Sequence, residues 1–181
     1  MARDQVAGAT GTADRGGQFA TFVVDGLWFG VEVSRVQEVL NYQDMTRVPR
    51  ASGAIVGLIN LRGQIVTAID MRRRLGLKVR PPNQVPMNVV ILADDGAVSL
   101  LVDEIGDVID LDGAAYEPVP ESLSQDIRAV ATGVYKLENH LLLTVGAPQV
   151  LDQRGVAAGR TGAREAGLGG VTVTEGHGAQ A

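Results

Sequence analysis

Residues 57–70 read GLINLRGQIVTAID, and residues 133–145 read GVYKLENHLLLTV. Each is a pair of apolar runs broken by a short polar turn. In the first, Leu58, Leu61, Ile65, Val66 and Ile69 read as two buried strands, and Gly63 supplies the positive backbone angle that a hairpin tip needs. Laid over one another, Gly57 meets Gly133, Leu61 meets Leu137, Gly63 meets Asn139, and Ile65 and Ile69 meet Leu141 and Val145. A second echo lies upstream. VSRVQEVL (33–40) lies over VDEIGDVI (102–109), so that Val33, Val36, Val39 and Leu40 meet Val102, Ile105, Val108 and Ile109, and Glu38 meets Asp107. Pro49 and Pro118 follow in step. The chain is a tandem of hairpin, short helix, loop ending in proline, and hairpin. One residue stands out. A tight turn does not require a cation, so Arg62 is either an idle solvated charge or a group displayed for a partner.

The remaining strand signals fit this plan. QFATFVVDGLWFGVEV (18–33) holds two β-rich runs around Asp25-Gly26, and NVVILADDGAVSLLV (88–102) repeats the design around Asp94-Asp95-Gly96. Helical signals are short: SRVQEVL with Ser34 as N-cap and Glu38 exposed, and MRRRLGL capped by Asp70 and stopping near Gly76. The expected fold class is all-β with short helices. Each unit supplies about five strands, enough to close a small barrel and remove its edges. Two five-stranded barrels fit the length, with or without strands exchanged between them. The repeats cover about 19–80 and 87–152, inside one body at 18–152. The Gly/Ala-rich ends, 1–17 and 153–181, have too few bulky side chains to offset ordering entropy and are expected to be disordered, with a short helix around Ala157–Ala166 as the exception.

Composition narrows the function. Apolar residues make up 45% of the chain but aromatics only 4%, so the core is built from Val, Leu and Ile. The formal charge is −5, which argues against nucleic-acid binding, whose affinity rests on cationic contacts to phosphates. There is no cysteine, hence no disulfide, thiol nucleophile or thiolate metal site. No apolar run approaches the roughly 20 residues of a membrane span, and the first residues hold no apolar signal core, so a soluble cytoplasmic protein without direct membrane insertion is expected.

Catalytic equipment is missing from the sequence. His140 falls at a turn, where a solvated role is expected, and His177 in the tail, so neither forms a zinc site or serves a serine triad. Asp110, Asp112 and Gly113 fit positions of a calcium loop, but the end positions fall on Val108 and Val119, which cannot ligate. The acidic run 103–113 reads as a solvated helix face, and Arg72, Arg73 and Arg74 as a solvated basic run. No cofactor is implied, and the reading is of a binding protein.

The run NLRG (60–63) followed by IVTAID (65–70) resembles the most recognisable motif of the CheW family, the coupling proteins of bacterial chemosensory pathways. FGVEVSRVQEVL (29–40), TRVP (46–49) and LLVDEIGDVIDL (100–111) are similar to further family segments, over about 19–151. The resemblance implies two SH3-like five-stranded barrels related by a pseudo-twofold. It also implies a non-catalytic adaptor that joins the cytoplasmic hairpin tip of chemoreceptors to the regulatory domain of the histidine kinase CheA, in arrays at the inner face of the membrane. An accessory adaptor of a surface-motility or gene-regulatory pathway is the alternative. Carried over by position, the receptor-facing residues are Val36, Glu38, Arg62, Val89, Ser99, Ile105 and Val108, and the kinase-facing ones Ala20, Val33 and Val36. A second ring contact falls on Glu117, Glu121 and Ser122, where Glu117 and Ser122 depart from the basic and aromatic residues of other members. Thr67 replaces a proline common in the family, with a change expected at the edge of its strand.

Overall fold

The protein is described by a computed structural model over residues 16–51 and 53–152. The expected tails, and the helix at Ala157–Ala166, lie outside these residues apart from the last two positions of the N-terminal one. Chain order gives β1 (Gln18–Val24), β2 (Leu27–Glu32), a 3-10 turn (Val33–Arg35), β3 (Val36–Leu40), β4 (Ile55–Leu61), β5 (Gln64–Asp70) and α1 (Met71–Arg74). The second half gives β6 (Met87–Ala93), β7 (Gly96–Val102), β8 (Glu104–Asp110), β9 (Tyr116–Glu117), α2 (Gln125–Val130), β10 (Ala131–Lys136), β11 (Leu141–Val145) and α3 (Ala147–Leu151).

The strands form a six-stranded sheet, β8-β1-β2-β11-β10-β9, and a five-stranded sheet, β3-β6-β7-β5-β4. Each sheet combines a hairpin from either half with the lone strand of the opposite half. β3, from the first repeat, pairs with β6, and β8, from the second, pairs with β1. The two hairpins within a sheet meet in parallel, β5 along β7 and β2 along β11, which is the same junction made twice. The fold is mostly β with a few short helices, as expected. The pairings run as open orders rather than closed rings, and β9 adds a sixth strand to one sheet.

The repeated glycines have a shared cause. A Cβ on Gly57 would stand 2.8 Å from the Thr46 carbonyl oxygen, where the 45–46 segment crosses β4 and Thr46 exchanges backbone hydrogen bonds with Leu58. A Cβ on Gly133 would overlap the Tyr116 ring, where β9 crosses β10. In both halves, glycine lets the preceding segment lie flat on the hairpin.

Between the sheets lies one apolar core that draws on both, with Phe22 and Phe29 from β1 and β2, Ile69, Met71 and Leu75 from β5 and α1, Ile91 and Leu100 from β6 and β7, and Leu143 from β11. Smaller clusters back each sheet, around Ile59, Val66 and Val90 and around Phe19, Tyr135 and Leu142. α2 and α3, which the sequence reading did not anticipate, contribute Ile127, Val130 and Val150 to the shared core. α2 starts at Ser124, whose hydroxyl accepts from the Ile127 N–H.

Four expectations need correction. SRVQEVL is a 3-10 turn followed by strand β3, because pairing with β6 overrides its helical spacing. The acidic run is strand β8 rather than a helix face. Thr67 lies in an interior strand, between Leu58 and Val98, not at an edge. The basic run is not solvated: α1 begins at Asp70 as read, but Arg72 and Arg74 are buried and only Arg73 is exposed.

Arg72 donates from Nε and Nη2 to Asp103, at 2.7 Å for the shortest contact, and pairs through Nη1 with Asp25 at 3.1 Å. Arg80 joins Asp103 at 3.0 Å and Asp70 at 3.3 Å, and the Asp25 N–H donates to Asp103 at 2.7 Å. Burial pushes the Asp103 carboxyl up, but the hydrogen bonds from Arg72, the Asp25 N–H and Arg80 outweigh it and hold it below the usual carboxylate range. The hydrogen bond to Asp103 raises Arg72 in turn, against desolvation. The cluster ties the β1–β2 turn of one sheet to α1 of the other. Arg74 donates instead to the carbonyls of Gln149, Val150 and Asp152 at 2.7–2.9 Å, capping α3.

Candidate functional site

β4 and β5 are joined by Arg62 and Gly63 alone, with φ of 52° and 89°. This is the two-residue geometry that matches the twist of a hairpin, and the second position suits glycine while the first strains an arginine. Asn60 steadies the turn by accepting from the Gly63 N–H at 2.8 Å. The sheet curls enough to bring this tip beside β3, the strand at the other end of its order, and there Arg62 Nη2 meets Glu38 Oε2 at 3.0 Å. The Arg62 side chain is 85% exposed and that of Glu38 18%, so the pair has a fixed base and a free head.

β3 and β8 are edge strands, one in each sheet, and they are the two copies of the repeated segment. On β3, Val36 is half-buried against the shared core and Val39 is exposed. On β8, Ile105 packs on that same core opposite Phe22, while Val108 stands 56% exposed opposite Ala20. A register shift between Ala20 and Phe22 lets the Thr21 hydroxyl donate to the Asp107 carbonyl at 2.6 Å. Val33, half-buried, lies in the 3-10 turn that packs between β1 and β6.

The structure thus brings several of the sequence-predicted residues together. Glu38 and Arg62 form an ion pair; Val36, Ile105 and Ala20 pack on one core; Val108 adjoins Ala20. Val89 and Ser99 are a correction. Val89 belongs to the core and Ser99 is fully buried, its hydroxyl accepting from Asn88 at 3.0 Å. Both lie inside the protein rather than at its surface. Glu117 sits on β9, at the opposite edge of its sheet from β8, and pairs with Lys136 at 2.7 Å; Glu121 and Ser122 are exposed in the turn that follows. His140 is not a solvated turn residue but stacks on Trp28, with ring centroids 4.4 Å apart. Among the described residues, no group of three or more His, Cys, Asp or Glu is placed to hold a metal ion. No helix among them is long and apolar enough to cross a membrane.

The geometry is that of a contact surface, with apolar edge residues flanked by a displayed charge pair. A family model for the CheW-like domain matches residues 18–155. The chemotaxis protein CheW of Bacillus subtilis is 33% identical over 138 residues, covering 76% of this chain and 88% of that relative. The chemotaxis protein CheW of Rhizobium meliloti is 29% identical over 130 residues, covering 72% and 84%. In fold, the chain is similar to the crystal structure of scaffolding protein TtCheW from Thermoanaerobacter tengcongensis, with a TM-score of 0.68 at 23% identity over 77% of this chain and 95% of that one. These relatives favour chemotaxis over an accessory pathway. The chain belongs to the CheW family and is a non-catalytic coupling adaptor of chemotaxis.

Proposed function

We propose that this adaptor holds the cytoplasmic hairpin tip of chemoreceptors against the regulatory domain of the histidine kinase CheA, in arrays at the inner face of the membrane. The observation that carries the receptor side is the Arg62–Glu38 pair at 3.0 Å, displayed beside Val36 of the same sheet edge. An amphipathic helix laid there finds apolar side chains to cover and a charge pair to set its register. Val36, Ile105 and Val108 are the apolar contacts in this reading, and Val89 and Ser99 support them from within. The kinase face is assigned to Ala20, Val33 and Val36, around the turn where β1 meets the 3-10 segment. Glu117, Glu121 and Ser122 form a second ring contact of altered charge, with Glu117 engaged by Lys136 on the neighbouring strand.

Calorimetric titration against the CheA regulatory domain of the same genome tests the kinase side. Saturable binding, lost in a Val33→Glu variant that still melts cooperatively, is the expected result. No binding to any CheA of that genome sinks the assignment, and receptor fragments then decide what remains.

A further inference from the structure

A groove of about 660 Å³ opens between the 42–51 loop and the proline-rich loop at 81–86. It shares no lining residue with the surfaces assigned above. Its chemistry is mixed in a specific way. Arg47, Arg50, Arg73 and Arg80 line it against a single carboxylate, Asp70. That carboxylate is already engaged, accepting from the Arg72 and Arg73 N–H groups through one oxygen and pairing with Arg80 through the other. The groove therefore carries a cationic excess in a chain whose net charge is −5. Arg80, its side chain only 10% exposed, is held by Asp103 and Asp70 through Nε and Nη1 and leaves Nη2 without a hydrogen-bond partner. A buried guanidinium with an unused donor is costly to leave so.

The same walls expose apolar side chains. Tyr42 at 41%, Val48 at 37% and Val85 at 65% are among the most exposed large apolar residues described, and all three line this groove. One wall is anchored: Thr46 is bridged to Leu58 over Gly57, so the 42–51 segment does not rest on loop contacts alone. The volume falls in the range of ligand sites, roughly 300–1,000 Å³. It is open along its length rather than enclosed by apolar walls.

We propose that this groove binds a short acidic and apolar peptide segment of a partner protein, with glutamate or aspartate carboxylates on Arg47, Arg50 and Arg73 and an apolar side chain between Tyr42 and Val85. Charge complementarity selects the segment: with Arg80 held by Asp70 and Asp103, the guanidiniums of Arg47, Arg50 and Arg73 face the groove with no further carboxylate in its lining and favour an anion, and the exposed apolar walls favour one that carries hydrophobic neighbours. The site is separate from the receptor and kinase surfaces, so its failure leaves those assignments untouched.

The test is a titration of the ¹⁵N-labelled full chain with an acetylated five-residue peptide alternating leucine and glutamate. The expected result is saturable amide shifts confined to 42–56, 70–73 and 80–86, weakened about tenfold or more by Arg73→Glu and by Tyr42→Ser, both exposed positions. A control peptide with lysine for glutamate should not bind. Absence of saturable shifts at millimolar peptide overturns the proposal, as does equal binding of the lysine peptide or a shift pattern centred on Arg62 and Val108. If inorganic phosphate alone reproduces the full pattern, the groove is a small-anion site and the peptide assignment fails.

Discussion

Arg62 and Glu38 meet at 3.0 Å across 24 positions of sequence, one on a hairpin tip and the other on an edge strand. The arginine is held at φ 52°, in the left-handed region that costs a non-glycine residue about 1–2 kcal/mol. A strained residue in a two-residue turn, where glycine or asparagine would sit with less strain, points to a use for its side chain.

Arg62→Ala should leave the melting temperature nearly unchanged, because an ion pair with an 85% exposed partner contributes little. Receptor-dependent activation of CheA should fall. Arg62→Gly should go further and raise stability by up to about 1 kcal/mol while losing the same activation. Chemical denaturation of both variants, run beside a reconstituted kinase assay, checks the pair. Unchanged activation in either variant removes the receptor role of Arg62.

Gly63→Val places a β-branched residue at φ 89°, where nothing else in the turn compensates. A loss of about 1–3 kcal/mol is expected, with receptor coupling lost alongside it. Urea denaturation matching the parent would refute the strain assigned to this turn.

Asp103 anchors two arginines, so Asp103→Ala should destabilise by about 3 kcal/mol, because Arg72 and Arg80 keep only Asp25 and Asp70 as carboxylate partners. Its folded pKa is depressed, which fixes the sign with pH. The unfolded carboxyl takes up its proton at about pH 3.9, above the folded one. This contribution is therefore complete above about pH 4 and is lost as pH falls through the folded value. Melting curves of the parent should decline in that acid window, and Asp103→Asn, starting lower at neutral pH, should show a shallower decline. Parallel slopes would mean that another carboxylate governs the acid limb.

Arg74→Leu removes three donors from the end of α3. Burial pushes this guanidinium down, so part of the loss is offset by relief of desolvation, and a net cost of about 2 kcal/mol is expected. Hydrogen exchange at Val150 and Asp152, whose amides close the last turn of α3, should quicken before that of β5. Equal protection in parent and variant would show that packing of Val150 alone holds the helix.

The hairpins were legible because their signals are local: Asp25-Gly26, Arg62-Gly63 and Asp94-Asp95-Gly96 each sit between runs of the right period. The repeat was legible too, and it picked out β3 and β8 as equivalents before either was seen as a strand. Their type was misread because Val33, Val36, Val39 and Leu40 also fit a helical face, and the partner strand β6 lies about 50 residues on, beyond any local signal. The arginine run hid its roles for the same reason. Arg72 is buried by Asp103 and Arg74 by the carbonyls of 149–152, partners 31 and 75–78 positions away. Of the candidate surface, motif resemblance supplied Arg62 and Glu38, but their contact, and the inward placement of Val89 and Ser99, depend on strands brought together by the fold.

The crossed pairing of β3 and β8 also sets an order of events at synthesis. β2 gains its second neighbour only when Leu141–Val145 has emerged, and β3 waits for Met87–Ala93. Neither sheet is complete while the chain is half made: the first hairpin has no third strand until Glu104–Asp110 emerges beside β1, and its β2 side stays open until Leu141–Val145 follows. A cut between Lys78 and Pro86 should accordingly give two fragments that are unstructured apart and fold only as a pair, each supplying the strand that the other's sheet lacks.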